Sequence, residues 1–234
     1  YMRNLIFINI LLVLILQSCS QNYSIKSTDF QIIEVSNEVD SNIIKIISPY
    51  KSQLDIEMNE VICYTKSDLK KGKPEGKLGN FVCDLSMLIA NGTADVCVFN
   101  NGGLRDVISK GDITIRDIYK VMPFENELVI LDLNKNEFYD LLKYITKRGG
   151  EPIGGLSIIE KKDTILSSFN NDSIIRVLTT DYLANGGDKM SFFINKEQKK
   201  VGIKLRDAII QFCKESDTIH IELDNRIIII ENDK

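Results

Sequence analysis

From about residue 60 onward the hydrophobic period of this chain changes repeatedly, and few folds accept such a pattern. Phe81, Val82, Leu85, Leu88 and Ile89 recur at helical spacing after Gly79-Asn80. Phe138, Leu141, Leu142 and Ile145 do the same behind a cap signal, Asn134 followed by Glu137, and Gly149-Gly150 stops that helix. A third stripe runs through Leu205, Ala208, Ile209 and Phe212. Between these stripes lie β-like runs at residues 61–65, 96–99, 128–133 and 174–180. Residues 219–223 and 227–230, around Asp224-Asn225, read as a terminal hairpin. Helices interleaved with strands, closed by an antiparallel pair, predict an α+β fold with mixed sheets and packed helices rather than a doubly wound parallel sheet.

From Phe30 no linker, repeat or low-complexity tract interrupts the sequence, so a single domain is expected over residues 30–234. Ahead of it, Arg3 precedes an apolar run at residues 5–16, broken only by Asn9, and then Gln17, Ser18 and Cys19. This is a charged segment followed by a signal-type apolar core, short of the ~20 residues that span a bilayer comfortably. A small residue followed by cysteine at its end resembles the lipobox of bacterial lipoproteins. That resemblance implies a signal peptide at residues 1–18, lipidation of Cys19 and a polar tether at 19–29. The expected location is exported and lipid-anchored to a bacterial membrane. Met2, preceded by Tyr1, is the expected natural start.

A formal net charge of −4 excludes a general binder of nucleic acid polymers, which needs a basic surface. Once Cys19 is set aside, Cys63, Cys83, Cys97 and Cys213 remain, none in a CxxC array. With one histidine in the chain, a zinc site is not expected. His220 falls in an alternating stretch and is expected on the solvent face of a strand.

Bulk folding does not ask for the composition of three segments. Asn100-Asn101-Gly102-Gly103-Leu104-Arg105 follows a strand, where paired glycines let a ligand approach backbone N–H groups and Arg105 offers a planar cation. Met122-Pro123-Phe124-Glu125-Asn126 lies between a short helix, Ile115–Val121, and a strand. Proline there restricts the backbone on both sides, so Phe124 is presented on a loop as a core cap or as a stacking plate for a planar base. In the run from Thr179 to Asp188 a strand leads to Tyr182, then Gly186-Gly187, then Asp188. Tyr182 can supply an opposing plate, and an ionised Asp188 can accept from two neighbouring ribose hydroxyls.

Taken in order, GNFVCD, NNGGLRDVISKGDIT, VMPFENELVILDL, PIGGL and TTDYLANGGDKMSFF resemble the C-terminal domain of the 5'-nucleotidase and UDP-sugar hydrolase family, over roughly residues 30–215. The resemblance implies an α+β domain that sandwiches a nucleobase between two rings, here Phe124 and Tyr182. It matches Asn100 to a base contact, Arg105 to an arginine near ribose and phosphate, and Asp188 to the carboxylate that holds the ribose. It also implies a Cys83–Cys97 disulfide, which would close a ~15-residue loop for about 3 kcal/mol if unstrained. Nucleosides or nucleotides resembling adenosine or AMP are the implied partners.

Two departures accompany the resemblance. Many members carry a further substrate arginine before the GN helix start, where this chain reads Lys70-Lys71-Gly72-Lys73-Pro74-Glu75 and Gly72 takes the arginine's place. Complete members also begin with a metallophosphatase domain whose two metal ions generate the attacking hydroxide. No such ligand set is expected here, so no catalytic residue and no cofactor is assigned to this chain, and it is not expected to hydrolyse nucleotides alone. Divalent metals are expected instead in a separately encoded metallophosphatase partner. A stand-alone nucleoside-binding lipoprotein is the alternative, and a structural lipoprotein with a relic pocket is a third reading.

Overall fold

The computed structural model describes residues 40–162, 164–169 and 173–230. The expected signal peptide, Cys19 and tether lie outside these residues. By contacts the chain divides into two units, one ending at Lys45 and one running from Ile46. Asp40 caps a helix, α1 (Ser41–Met58), by accepting from the Asn42 N–H at 2.8 Å. No helix among the described residues is long and apolar enough to cross a membrane.

In the second unit a five-stranded sheet lies between two cores. Its order is β5 (Ile153–Gly154), β2 (Val96–Val98), β8 (Ile175–Thr180), β4 (Glu127–Leu133) and β9 (Lys199–Lys204). Side chains alternate across it, as the two-residue period of a strand requires. Leu128 and Ile130 of β4, Cys97 of β2 and Leu178 of β8 enter one core. Val129, Leu131 and Leu133, with Val96, Val98, Ile175 and Val177, enter the other. The first core is completed by α2 (Lys77–Ala90), α3 (Ile115–Val121) and α6 (Leu205–Lys214). A three-stranded sheet adds to it, ordered β10 (Thr218–Ile219), β1 (Val61–Thr65), β3 (Gly111–Thr114). The second core takes α4 (Lys135–Lys147), the short α5 (Asp181–Ala184) and a small sheet of β11 (Ile227–Ile230), β6 (Ile158–Lys161) and β7 (Thr164–Ser167). Mixed sheets with packed helices are thus the architecture, as the sequence predicts.

Local signals act as expected at several helix ends. Asn134 accepts from the N–H groups of Asn136 and Glu137 while Glu137 accepts from the Asn134 N–H, a full capping box at the start of α4. Thr114 and Asp117 make a second box for α3.

The terminal hairpin is not formed. β10 pairs in parallel with β1, and β11 pairs in parallel with β6 in a different sheet. The connecting residues are held elsewhere. Arg226 donates to both carboxylate oxygens of Asp84 and to the Ile153 carbonyl, and Asn80 donates to the Glu222 carbonyl. His220 is exposed, 3.7 Å from Glu222, but lies just past β10 rather than within a strand. Leu88 also departs from the expected stripe. The first half of α2 is enclosed all round, whereas its last turn emerges and leaves Leu88 67% exposed.

Candidate functional site

Strand direction brings three distant loops to one end of the large sheet. β2 runs parallel to β8, so both chains leave the sheet at the same end. β4 is antiparallel to β8 with Leu128 opposite Thr180, so the chain enters β4 there. Asn100 follows β2, Phe124 and Asn126 precede β4, and Tyr182 and Asp188 follow β8. These residues, with Gly102, Gly103 and Arg105, line one cavity of about 330 Å3. All five residues singled out in the sequence, Asn100, Arg105, Phe124, Tyr182 and Asp188, meet in it.

Each loop is fastened from beneath. The Asn101 N–H donates to Glu151 at 2.7 Å, and Glu151, its side chain fully buried, accepts from Arg148 Nε at 2.6 Å. That hydrogen bond raises the arginine's pKa. The Arg105 N–H donates to the Val121 carbonyl at the end of α3. Its guanidinium makes a 3.3 Å contact with the Gly102 carbonyl and no ion pair among the described residues. A Cβ at position 103 would fall 2.8 Å from Asn100 Oδ1, so glycine lets the asparagine lie across its own turn.

The Phe124 loop is gripped by a buried cation. Arg206, only 5% exposed, donates to the Phe124 carbonyl and to Glu125, and its guanidinium lies 4.2 Å from the centre of the Tyr119 ring. Lys204 also pairs with Glu125. Arg206 first, and then Lys204, hold the Glu125 carboxyl down at about 2. Phe124 itself is 41% exposed and faces the cavity rather than capping the core.

Asp188 is the centre of a small network. Its carboxylate accepts from Asn100 Nδ2 at 2.5 Å and from the Tyr182 hydroxyl at 3.3 Å. Its backbone carbonyl accepts from the Tyr144 hydroxyl at 2.9 Å. Burial pushes Tyr144 up to about 12, so that phenol remains a donor across the ordinary pH range. Asp188 adopts φ 51°, a left-handed conformation that aspartate tolerates better than most residues. A Cβ at position 187 would lie 2.5 Å from the Tyr182 ring, so glycine there allows the ring to pack against the chain.

Several residues that shape the site were not singled out by sequence. Asn126 sits within the MPFEN segment and lines the cavity. Tyr144, Glu151 and Arg206 support it from α4, the loop after α4, and α6. Their only sequence signal is polarity beside an apolar stripe.

At Gly72 the turn is closed against any side chain, because a Cβ there would lie 2.1 Å from the Glu75 carbonyl oxygen. Of the neighbouring lysines, Lys70 pairs with Asp68 and Lys73 with the Arg148 carbonyl, and no lysine of this turn lines the cavity. The expected Cys83–Cys97 bond is not present. Cys83 packs over Gly154, which pairs with Cys97 across the sheet, and the two buried side chains adjoin as hydrogen-bonded free thiols. Among the described residues no group of three or more histidine, cysteine or acidic side chains could hold a metal ion.

Comparison with known proteins agrees with this architecture. Residues 59–159 match the family model of the 5'-nucleotidase C-terminal domain. The chain is 28% identical over 176 residues to the trifunctional nucleotide phosphoesterase protein YfkN of Bacillus subtilis, covering 63% of this chain and 12% of that protein. It is 25% identical to a 5'-nucleotidase of Vibrio parahaemolyticus, covering 68% of this chain and 31% of the relative. Among solved structures, a 5'-nucleotidase precursor from Thermus thermophilus superposes with a TM-score of 0.69 at 22% identity, over 81% of this chain and 43% of that one. The chain therefore spans less than half the length of each of these proteins.

Proposed function

Because the chain carries a 5'-nucleotidase C-terminal domain, we propose that its slot binds the nucleoside part of a nucleotide such as AMP, or adenosine itself. One observation carries this reading: two half-exposed rings, Phe124 from a loop and Tyr182 from the short α5, line a single cavity with a tethered carboxylate, Asp188. A nucleobase enters between the rings, where stacking contributes about 1–3 kcal/mol per base. Asp188 accepts from the ribose hydroxyls, Asn100 reaches the base edge, and Arg105 offers its guanidinium to ribose or phosphate.

In this proposal the chain supports phosphomonoester hydrolysis in nucleotide catabolism by presenting its nucleotide to a separately encoded metallophosphatase. The described residues do not fit a dimetal centre, and no step of the chemistry is assigned to them. The proposal includes an exported position, anchored by a lipid on Cys19, and rests there on the pattern of residues 3–19. The closed turn at Gly72 favours a second reading, a nucleoside binder without hydrolysis, because it removes one expected phosphate contact.

Calorimetric titration of adenosine, AMP and ribose 5-phosphate into the purified chain tests the slot. Saturable binding of adenosine and AMP, each tighter than ribose 5-phosphate, is expected. Absence of binding by both adenosine and AMP refutes it. Phosphate release from AMP only when this chain, a metallophosphatase and a divalent metal are mixed separates the hydrolytic reading from the second.

A further inference from the structure

Outside the slot, the four described cysteines, all buried, fall into two adjoining pairs. The pair Cys63 and Cys213 is brought together by features that have nothing to do with the slot. An irregularity in the pairing of β1 between Val61 and Cys63 leaves Ile62 and Cys63, consecutive residues, both facing inward. Cys213 lies in the last turn of α6, and the chain just beyond that helix returns alongside β1. The Tyr64 N–H donates to the Asp217 carbonyl at 3.3 Å, and Tyr64 and Thr65 pair in parallel with Thr218 and Ile219. The end of α6 is thereby held against the middle of β1. Both side chains enter the same core, where the two thiols share a hydrogen bond.

We propose that Cys63 and Cys213 form a disulfide that staples α6 to β1, made by exchange with a disulfide donor such as glutathione disulfide or an oxidised dithiol protein. In the first step the Cys63 thiolate attacks one donor sulfur, the donor S–S bond breaks, and one donor thiolate leaves. In the second, Cys213 passes its proton to a donor thiolate and its sulfur attacks Cys63 Sγ, expelling the other donor thiolate. Two thiols of the chain are oxidised by two electrons, one donor disulfide is reduced, and both protons finish on donor thiols. The hydrogen bond from Cys213 holds the Cys63 thiol below the usual thiol range. The same bond together with burial pushes Cys213 up, which sets this order of attack. The reduced pair described here becomes reachable when the short β10 contact opens or before the fold closes.

The inference is independent of the nucleotide-binding reading, and so is its test. The full chain is equilibrated with glutathione disulfide, alkylated in denaturant, digested and mapped by mass spectrometry without reduction. A linked peptide pair joining Cys63 to Cys213 is expected. The bond closes a loop of about 150 residues, so oxidation should raise the unfolding temperature by something on the order of 10 °C. Cys213→Ser should lose both the linked pair and that share of the shift, with Cys63 found instead as the unresolved mixed disulfide with glutathione. Complete alkylation of Cys63 and Cys213 in the oxidised wild-type chain overturns the proposal. So does a map in which either is joined to Cys83 or Cys97. Because the map is made on the wild-type chain, misfolding of the serine variant would not obscure the result.

Discussion

Replacing Phe124 by alanine separates a stacking plate from a core cap. The ring is 41% exposed, so it gains only part of the roughly 1.5–3 kcal/mol that full burial of such a side chain contributes, and its loss should cost folding no more than about 1–2 kcal/mol. Domains of this kind are held by about 5–15 kcal/mol, so the variant should remain folded. A stacked base, by contrast, loses about 1–3 kcal/mol when its aromatic partner is removed. At 1.4 kcal/mol per tenfold, adenosine affinity should fall roughly 5- to 150-fold. Calorimetric titration gives the affinity, and circular dichroism with a thermal scan confirms the fold. Ribose 5-phosphate, which has no base, should bind the variant and the wild type alike. Tyr182→Ala should behave similarly, although there part of the effect comes from the lost hydroxyl contact with Asp188. Adenosine affinities within twofold of wild type for both folded variants would refute the base sandwich.

Two other outcomes can be read in parallel. Asp188→Asn removes an ionised acceptor, so ribonucleoside affinity should fall about 10- to 100-fold, on the scale of a charged hydrogen bond of about 1.5–3 kcal/mol; an unchanged affinity would take the ribose away from Asp188. Glu125 has its carboxyl lowered from an ordinary 4.5 to about 2, chiefly by Arg206, so its stabilising pairing is fully present above 4.5 and is lost as pH falls through about 2. Thermal unfolding of wild type and Glu125→Gln should therefore differ by a constant amount above about pH 5 and converge near pH 2, whereas a gap that persists at the acid end would show that the ion pairs are not its source.

What could be read from the sequence, and what could not, follows from the range of the interactions. The capping box of Asn134 and Glu137 and the helix Ile115–Val121 are local events, decided within a few residues, and both form where the sequence places them. The glycine pairs also announce themselves, because few other roles require Gly102-Gly103 or Gly186-Gly187 in the short segments that follow a strand. The terminal hairpin failed because strand partners are chosen across the whole fold. Asp84 and the Ile153 carbonyl fix Arg226, and no periodicity near residue 226 reports that. Leu88 failed for a related reason: a stripe gives the direction of a face but not how far along the helix the neighbours extend. Within the site, the rings and the carboxylate are visible because they stand in recognisable motif segments. Tyr144, Glu151 and Arg206 are not, since what they do depends on distant backbone brought beside them by folding.

The tight turn at residues 72–76 has a consequence for how this site could change. A cation cannot be regained at Gly72 by one codon substitution, because the first carbon of any side chain would already collide with the Glu75 carbonyl oxygen. Rebuilding the turn would disturb neighbouring contacts as well, since Pro74 is packed so closely on Gly150 that a Cβ there would lie 2.0 Å from the Pro74 oxygen. Single substitutions at position 72 therefore cannot add a charge without rebuilding the turn. Of the residues that line the cavity, Arg105 alone carries a positive charge.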